Sequence, residues 1–372
     1  MFCSNSRKDK LENGSKLIDH CQSNPPMFKE LFASKLMGRD LAMDLGTSKT
    51  VVYRRASGMI LDAPSVLAIN KKDGRIRAVG LKAKQMLGKT PQNIVTIHPL
   101  RDGVIAHFDA TQRMVKYFLN QVRPRRTIVG SRLIVGVPCN VTKVEKRALL
   151  DIAKEVGARK VSLVAEPVAA LIGADLPIFE PVGNMIVDIG GGTSEAAITS
   201  LNGVVISNSI RIAGEEMDQV IIQHAREKYK LLIGEQRAET IKINLGYGCP
   251  KGKDRKMKIR GRDLNTGFPK EIELDSEEMQ EILDPVLAAI LDMIEMTLEQ
   301  CPPEPPGDIM ENGIYLTGGG ACLRGLDTHI SKRVKLPVRM VPEPLLAVVL
   351  GLGRLLENDH LLSAVEITPN SS

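Results

Sequence analysis

The same short pattern occurs twice in this chain: an apolar strand ends in aspartate, turns through glycine and threonine, and runs directly into a second β-rich stretch. The first copy is Leu41 to Asp44, then Leu45-Gly46-Thr47-Ser48-Lys49-Thr50, then Val51 to Arg54. The second is Met185 to Asp188, then Ile189-Gly190-Gly191-Gly192-Thr193-Ser194-Glu195, then Ala196 to Thr199. Glycine lets the backbone approach an anion closely, and successive amides in such a turn point at it, with the Thr47 and Ser48 hydroxyls as further donors. One turn of this kind is ordinary. Three consecutive glycines, however, carry an entropic cost that a plain hairpin has no reason to bear, so the second turn implies a close approach to something.

A third glycine run, Gly318-Gly319-Gly320-Ala321, follows the strand Ile314 to Thr317 and precedes a helical pattern beginning near Leu323. A helix N-terminus behind a flat glycine surface can seat a nucleotide. None of the three runs matches GxxxxGK[ST] or GxGxxG, so neither of those phosphate-binding motifs is supported. The aspartates that close both strands suit a hydrated Mg²⁺, which keeps much of its water and is held through a few carboxylates plus substrate phosphates.

The rest of the chain narrows the class. Its 372 residues, 43% of them hydrophobic, can bury the cores of two packed lobes. A net charge of +6 is too weak to mark a nucleic-acid binder, and the absence of Trp removes the usual base-stacking platform. Six scattered cysteines form no CxxC pair, which argues against a zinc site or a disulfide framework and for a reducing cytoplasm. No apolar run is long enough to span a membrane, and the polar start lacks a secretory core. Residues 1–26 read as an unpacked tail ending in Asn24-Pro25-Pro26, and Met27 is a candidate start. From Met27 to Met37, Phe28, Leu31, Phe32 and Leu36 share one helical face, either a short membrane-surface anchor or a helix packed on the domain.

From Arg39 onward, β-rich runs alternate with helical patterns at Gln112 to Gln121, Val144 to Val156, Glu216 to Tyr229 and Ser276 to Gln300, the signature of α/β layers. Strands are expected at Leu41 to Asp44, Arg132 to Val137, Met185 to Asp188 and Ile314 to Thr317.

These residues resemble the actin, DnaK-type chaperone and sugar-kinase superfamily, and most closely the MreB-type bacterial actins. The likeness runs from about Arg39 to Glu357 and includes Met86-Leu87-Gly88-Lys89-Thr90-Pro91, Pro99-Leu100-Arg101-Asp102-Gly103-Val104-Ile105-Ala106, Glu166-Pro167, Gly214-Glu215-Glu216-Met217-Asp218 and Arg260-Gly261-Arg262-Asp263-Leu264. It implies an actin-like α/β fold, with two lobes that each carry a mixed five-stranded sheet flanked by helices and a nucleotide in the cleft between them. It also implies subdomains IA (39–67, 101–180 and 350–371), IB (68–100), IIA (181–216 and 281–349) and IIB (217–280).

By that resemblance the cofactors are ATP and Mg²⁺. Glu166 would position the attacking water, supported by Thr193, while Asp44 and Asp188 organise Mg²⁺ through water. Gly46, Thr47, Ser48, Lys49, Gly190, Gly191, Gly192 and Thr193 would surround the phosphates. Glu215, Glu239 and Lys242 would face the ribose and base over a floor of Gly318, Gly319, Gly320 and Ala321. The implied function is a weak ATPase that polymerises with itself into filaments at the inner face of the cytoplasmic membrane, shaping a rod cell with membrane proteins of the elongation machinery; no nucleic-acid partner is expected. A filament that positions plasmid or organelle cargo is the alternative. A sugar kinase would normally be longer, and a chaperone would add a peptide-binding extension after the region Leu345 to Leu356.

The chain departs from the family pattern at Ser48-Lys49, where Ala-Asn is common, at Asp62-Ala63-Pro64, at Ala165 and at His107. Lys49 beside the phosphates would strengthen binding or alter turnover, or simply sit exposed at the cleft edge. Arg123-Pro124-Arg125-Arg126-Thr127-Ile128-Val129 suits an anionic lipid surface or a basic loop equally. The cluster Lys251, Lys253, Arg255, Lys256, Lys258, Arg260 and Arg262 reads as the solvated face of a hairpin.

Overall fold

The computed structural model describes residues 40–122, 131–249 and 255–367. The segments Met27 to Met37 and Arg123 to Val129, together with Lys251 and Lys253, lie outside the described residues.

Two sheets repeat one plan. In the first, the strands run in the order Gly58–Pro64, Lys49–Arg54, Leu41–Leu45, Arg132–Val137, Lys160–Ala165, with the short Glu366–Ile367 added at the far edge. In the second, the order is Gly203–Ile210, Ser194–Ser200, Asn184–Ile189, Ile314–Thr317, Val338–Met340. In each five-strand run the first strand pairs antiparallel with the second, the second antiparallel with the third, and the next two pairs are parallel; the added Glu366–Ile367 pairs antiparallel with Lys160–Ala165. The central strands Leu41–Leu45 and Asn184–Ile189 are mostly apolar because both faces are covered, as in Ala42, Met43, Ile186 and Val187, none more than 1% exposed.

The parallel steps need crossover helices, and the sequence supplies amphipathic ones. Phe108–Val122 buries Met114, Val115, Phe118 and Leu119 against the first sheet, and Lys143–Glu155 starts with a capping box in which Thr142 and Glu145 exchange bonds. In the second lobe Ser276–Glu299 packs on the sheet and Gly214–Tyr229 packs on that helix, with Met217, Ile221, Met279 and Leu283 in their shared core. Small satellites complete each lobe: the sheet of Leu67–Asn70, Ile76–Val79 and Ile94–Ile97 with helix Leu81–Met86, and the sheet of Leu231–Leu232, Lys256–Asp263 and Pro269–Asp275.

Between the two sheets lies a core of its own. It joins Ala42, Ile134 and Val164 of the first sheet to Ile186 and Ala197 of the second through helices Glu166–Gly173 and Ala347–Glu357. These helices cross with backbone touching backbone: a methyl on Gly173 would overlap the Ala347 carbonyl, and one on Gly351 the Ala169 carbonyl. The lobes are therefore joined at the bottom of the cleft by a packed hinge.

The expected helices and strands are present, with ends shifted by a few residues. The helical pattern placed near Leu323 is the exception. A 3₁₀ turn spans Gly320–Cys322, and the α-helix begins only at Leu326, because Gly325 is left-handed with φ of 72°. The basic stretch forms the antiparallel hairpin Lys256–Asp263 with Pro269–Asp275, where Lys258 and Arg260 pair with Glu271 on an exposed face.

Candidate functional site

The two glycine turns are matching hairpins that meet tip to tip. In the first, the Gly46 N–H donates to the Lys49 carbonyl at 3.0 Å; in the second, the Gly190 N–H donates to the Thr193 carbonyl at 2.9 Å. Beyond that shared bond they differ. The first carries Thr47 and Ser48, and the second is bare. A methyl on Gly191 would stand 2.7 Å from the Ser48 Cβ, and one on Gly192 would stand 2.8 Å from the Asp102 amide and 2.9 Å from the Thr47 hydroxyl. The close approach implied by three successive glycines is made, in this structure, by the opposite hairpin.

A third turn completes the contact. Leu100–Arg101 and Val104–Ile105 form a small hairpin whose Gly103 amide donates to the Thr47 hydroxyl at 3.1 Å, while a methyl on Gly103 would stand 2.7 Å from the Thr193 Cγ2. The stretch Pro99 to Ala106 carried no assigned role in the sequence; it touches both glycine hairpins.

Below the tips opens a cavity of about 690 Å³. Asp44, Gly46 to Lys49, Glu166, Asp188, Gly190 to Thr193, Glu215, Glu239, Lys242 and Gly318 to Gly320 all line it. Ala321 does not: it is buried behind the shelf at 4% exposure, because the 3₁₀ turn directs it into the core.

Four carboxylates converge here, two from each lobe: Asp44 and Glu166, Asp188 and Glu195. Burial pushes all of them up. Asp44 rises to about 6, lowered somewhat by the Lys49 ammonium and raised by Asp62. Asp188 rises to about 7, with Asp44 and Glu195 adding repulsion. Glu166 is held well above the usual carboxylate range by burial and then by repulsion from Asp44, Asp188 and Glu195. Such a cluster attracts cations. Among the described residues no three His, Cys, Asp or Glu side chains are grouped to bind a metal directly.

The remaining residues frame the rim. Helix Gly214–Tyr229 starts against the second hairpin, its Glu215 amide donating to the Gly191 carbonyl at 2.7 Å. Lys242 donates to the Gly214 carbonyl at 2.6 Å and pairs with Asp218 at 2.9 Å. Glu239 lines the cavity but is also paired at 2.6 Å with Lys84 of the first lobe's satellite, so this side chain bridges the mouth of the cleft. Lys49 stands 3.4 Å from Asp62, its neighbour's neighbour across the strand pair, so two departures from the family pattern form one ion pair at the rim. Glu195 was not singled out from the sequence; its neighbours Ala196, Ala197 and Ile198 give it the look of an ordinary strand beginning.

The comparisons with known proteins agree with this geometry. The family model described as MreB/Mbl protein matches residues 38–364. The chain is 45% identical over 327 residues to the cell shape-determining protein MreB of Escherichia coli K12, covering 87% of this chain and 94% of that one. It is 42% identical over 323 residues to the cell shape-determining protein Mbl of Bacillus cereus, covering 87% and 97%. In three dimensions it matches the crystal structure of MreB 5 of Spiroplasma citri bound to AMPPNP with a TM-score of 0.83 at 35% identity, covering 86% of this chain and 96% of that one. A MamK double helical filament, 24% identical with a TM-score of 0.73 over 86% of this chain and 99% of that one, shares the fold.

Proposed function

The chain belongs to the MreB/Mbl protein family, and on that premise we propose that it is an ATP-binding cytoskeletal protein that polymerises into filaments and helps determine cell shape. One observation carries the nucleotide reading: two amide-lined hairpins, one from each lobe, meet over a single cavity whose walls include the buried carboxylates Asp44, Glu166, Asp188 and Glu195. The MreB 5 structures of S. citri hold AMPPNP and ADP, which supports the same ligand here.

In this reading the amides of Thr47, Ser48, Gly191 and Gly192 grip the phosphates, Gly46 and Gly190 hold the two turns closed, and Lys49 adds charge at the rim. Asp44 and Asp188 are the residues that would hold a Mg²⁺ ion, which would supply charge neutralisation for the phosphates. Glu166, on the first turn of its helix, orients the attacking water and takes its proton, with Thr193 beside it. Glu215, Glu239 and Lys242 border the sugar and base above the Gly318 to Gly320 shelf. Hydrolysis is slow and tied to filament turnover. The filaments lie on the inner face of the cytoplasmic membrane, through Met27 to Met37 or the basic segment Arg123 to Val129, and organise wall synthesis with membrane proteins of the elongation machinery.

Purified protein mixed with ATP should scatter light and sediment, electron microscopy should show filaments, and those filaments should co-pellet with liposomes. Loss of ATP dependence would sink the filament reading. ADP release that requires a sugar would favour a kinase, and filaments that ignore liposomes would favour cargo positioning.

A further inference from the structure

We propose that Glu195 is a second water-positioning residue, set by the second lobe opposite Glu166 of the first. Glu195 is 4% exposed, the one acidic or basic side chain among the described residues that is buried to this degree. Burying a carboxylate without a cation is costly, and no ion pair among the described residues relieves it. A group retained at such a cost asks for a function. A carboxylate kept only for packing would be walled off, whereas Glu195 lines the same cavity as Glu166. The two lie close enough that Glu195 adds to the repulsion felt by Glu166, and both repel the thiolate form of Cys139.

Its orientation is set from across the cleft. The Cys139 N–H donates to Glu195 Oε1 at 2.9 Å. Cys139 follows strand Arg132–Val137 of the first sheet, and Glu195 belongs to strand Ser194–Ser200 of the second, so this bond depends on how the lobes meet. Glu166 is anchored in the same neighbourhood: its Cγ would lie 3.3 Å from a methyl on Gly136, three residues before Cys139.

The inference rests on the cleft hydrolysing ATP. In that step the water oxygen forms a bond to the γ-phosphorus, the bond from that phosphorus to the β–γ bridging oxygen breaks, and ADP leaves with the electron pair. The water proton passes to Glu166. Glu195 takes no proton; it accepts a hydrogen bond from the water's other O–H and so fixes the direction of its lone pair. Orientation of this kind is lost steeply with small displacement.

Glu195→Gln separates this role from a structural one, because the amide carbonyl still accepts the Cys139 bond and the volume is kept. ATP affinity and melting temperature should hold, while turnover falls roughly a hundredfold. Because both residues act on one water, Glu166→Gln with Glu195→Gln should be little slower than Glu166→Gln alone. If Glu195→Gln does not fold, Glu195→Asp, which keeps the charge but withdraws it, is read by the same separation of affinity from rate. Wild-type turnover in either variant, affinity and rate falling together, or losses that multiply in the double variant would overturn the inference while leaving the ATPase reading intact. A wild-type protein that binds ATP but never hydrolyses it would overturn both.

Discussion

The two lobes use the same five-strand order and the same hairpin bond, yet one hairpin carries side chains where the other has none. Thr47 and Ser48 project from the first; Gly191 and Gly192 leave room for them in the second. If a phosphate alone dictated the hairpins, both could be equally bare. The asymmetry instead reflects that the tips must also pass each other, so one side keeps its Cβ atoms and the other gives them up. Charge follows a similar split. The first hairpin has the Lys49 ammonium beside its aspartate, and no cation is among the causes that set Asp188.

The sharpest way to separate the lobes is through the chemistry. Glu166 belongs to the first, at the start of helix Glu166–Gly173 and facing the cavity. Glu166→Ala should bind ATP normally and lose about two to four orders of magnitude in hydrolysis, measured by phosphate release at saturating ATP. Unchanged turnover would move the chemistry away from this lobe.

A swap between the hairpins tests the steric asymmetry itself. Gly191→Ala places a methyl against the Ser48 Cβ at 2.7 Å, an overlap of the kind that costs about 1–3 kcal/mol. If the nucleotide-bound state needs the tips this close, ATP affinity should drop by roughly 5- to 150-fold. Ser48→Gly in the same protein should restore most of it. Titration of ATP into the wild type, Gly191→Ala and the double variant decides the matter, and a loss that Ser48→Gly cannot repair would mean that the glycine serves the phosphate rather than the other hairpin.

How much of this was legible in the sequence depends on range. Arg132–Val137 and Ile314–Thr317 match expectation to the residue because short runs rich in branched residues have few other conformations. Helix Glu166–Gly173 gave no periodic signal, since every residue after Glu166 is buried and no polar face exists to mark it. The late helix start near Leu326 turned on a single left-handed glycine. Both glycine turns were evident, but not that each is the other's neighbour, because nothing local encodes a contact between residues 48 and 191. Lys49 and Asp62 stood out separately, and only the antiparallel register joined them. Glu195 escaped notice for the same reason: its burial comes from a lobe whose nearest contact, Cys139, lies 56 residues earlier.

The electrostatic half of the comparison predicts a smaller effect. Asp44 titrates at about 6 and Asp188 at about 7, both above the ordinary value of 3.8. Between pH 4 and 7 the folded protein therefore holds protons that the unfolded chain has released. These two groups contribute stability that is full below about pH 4 and is lost as pH rises through 6 and then 7. The nucleotide-free protein should melt lower at pH 7.5 than at pH 5 by a few degrees attributable to these groups, a share obtained by subtracting the slope of Asp188→Asn. Mg²⁺ with ATP favours the ionised carboxylates and should flatten the slope. Lys49→Met then discriminates between the hairpins: without the ammonium, Asp44 should titrate closer to Asp188 and the first step of the decline should move to higher pH. If Lys49→Met leaves the curve in place, the ammonium is spent on Asp62 at 3.4 Å, and the two hairpins differ in shape but not in charge.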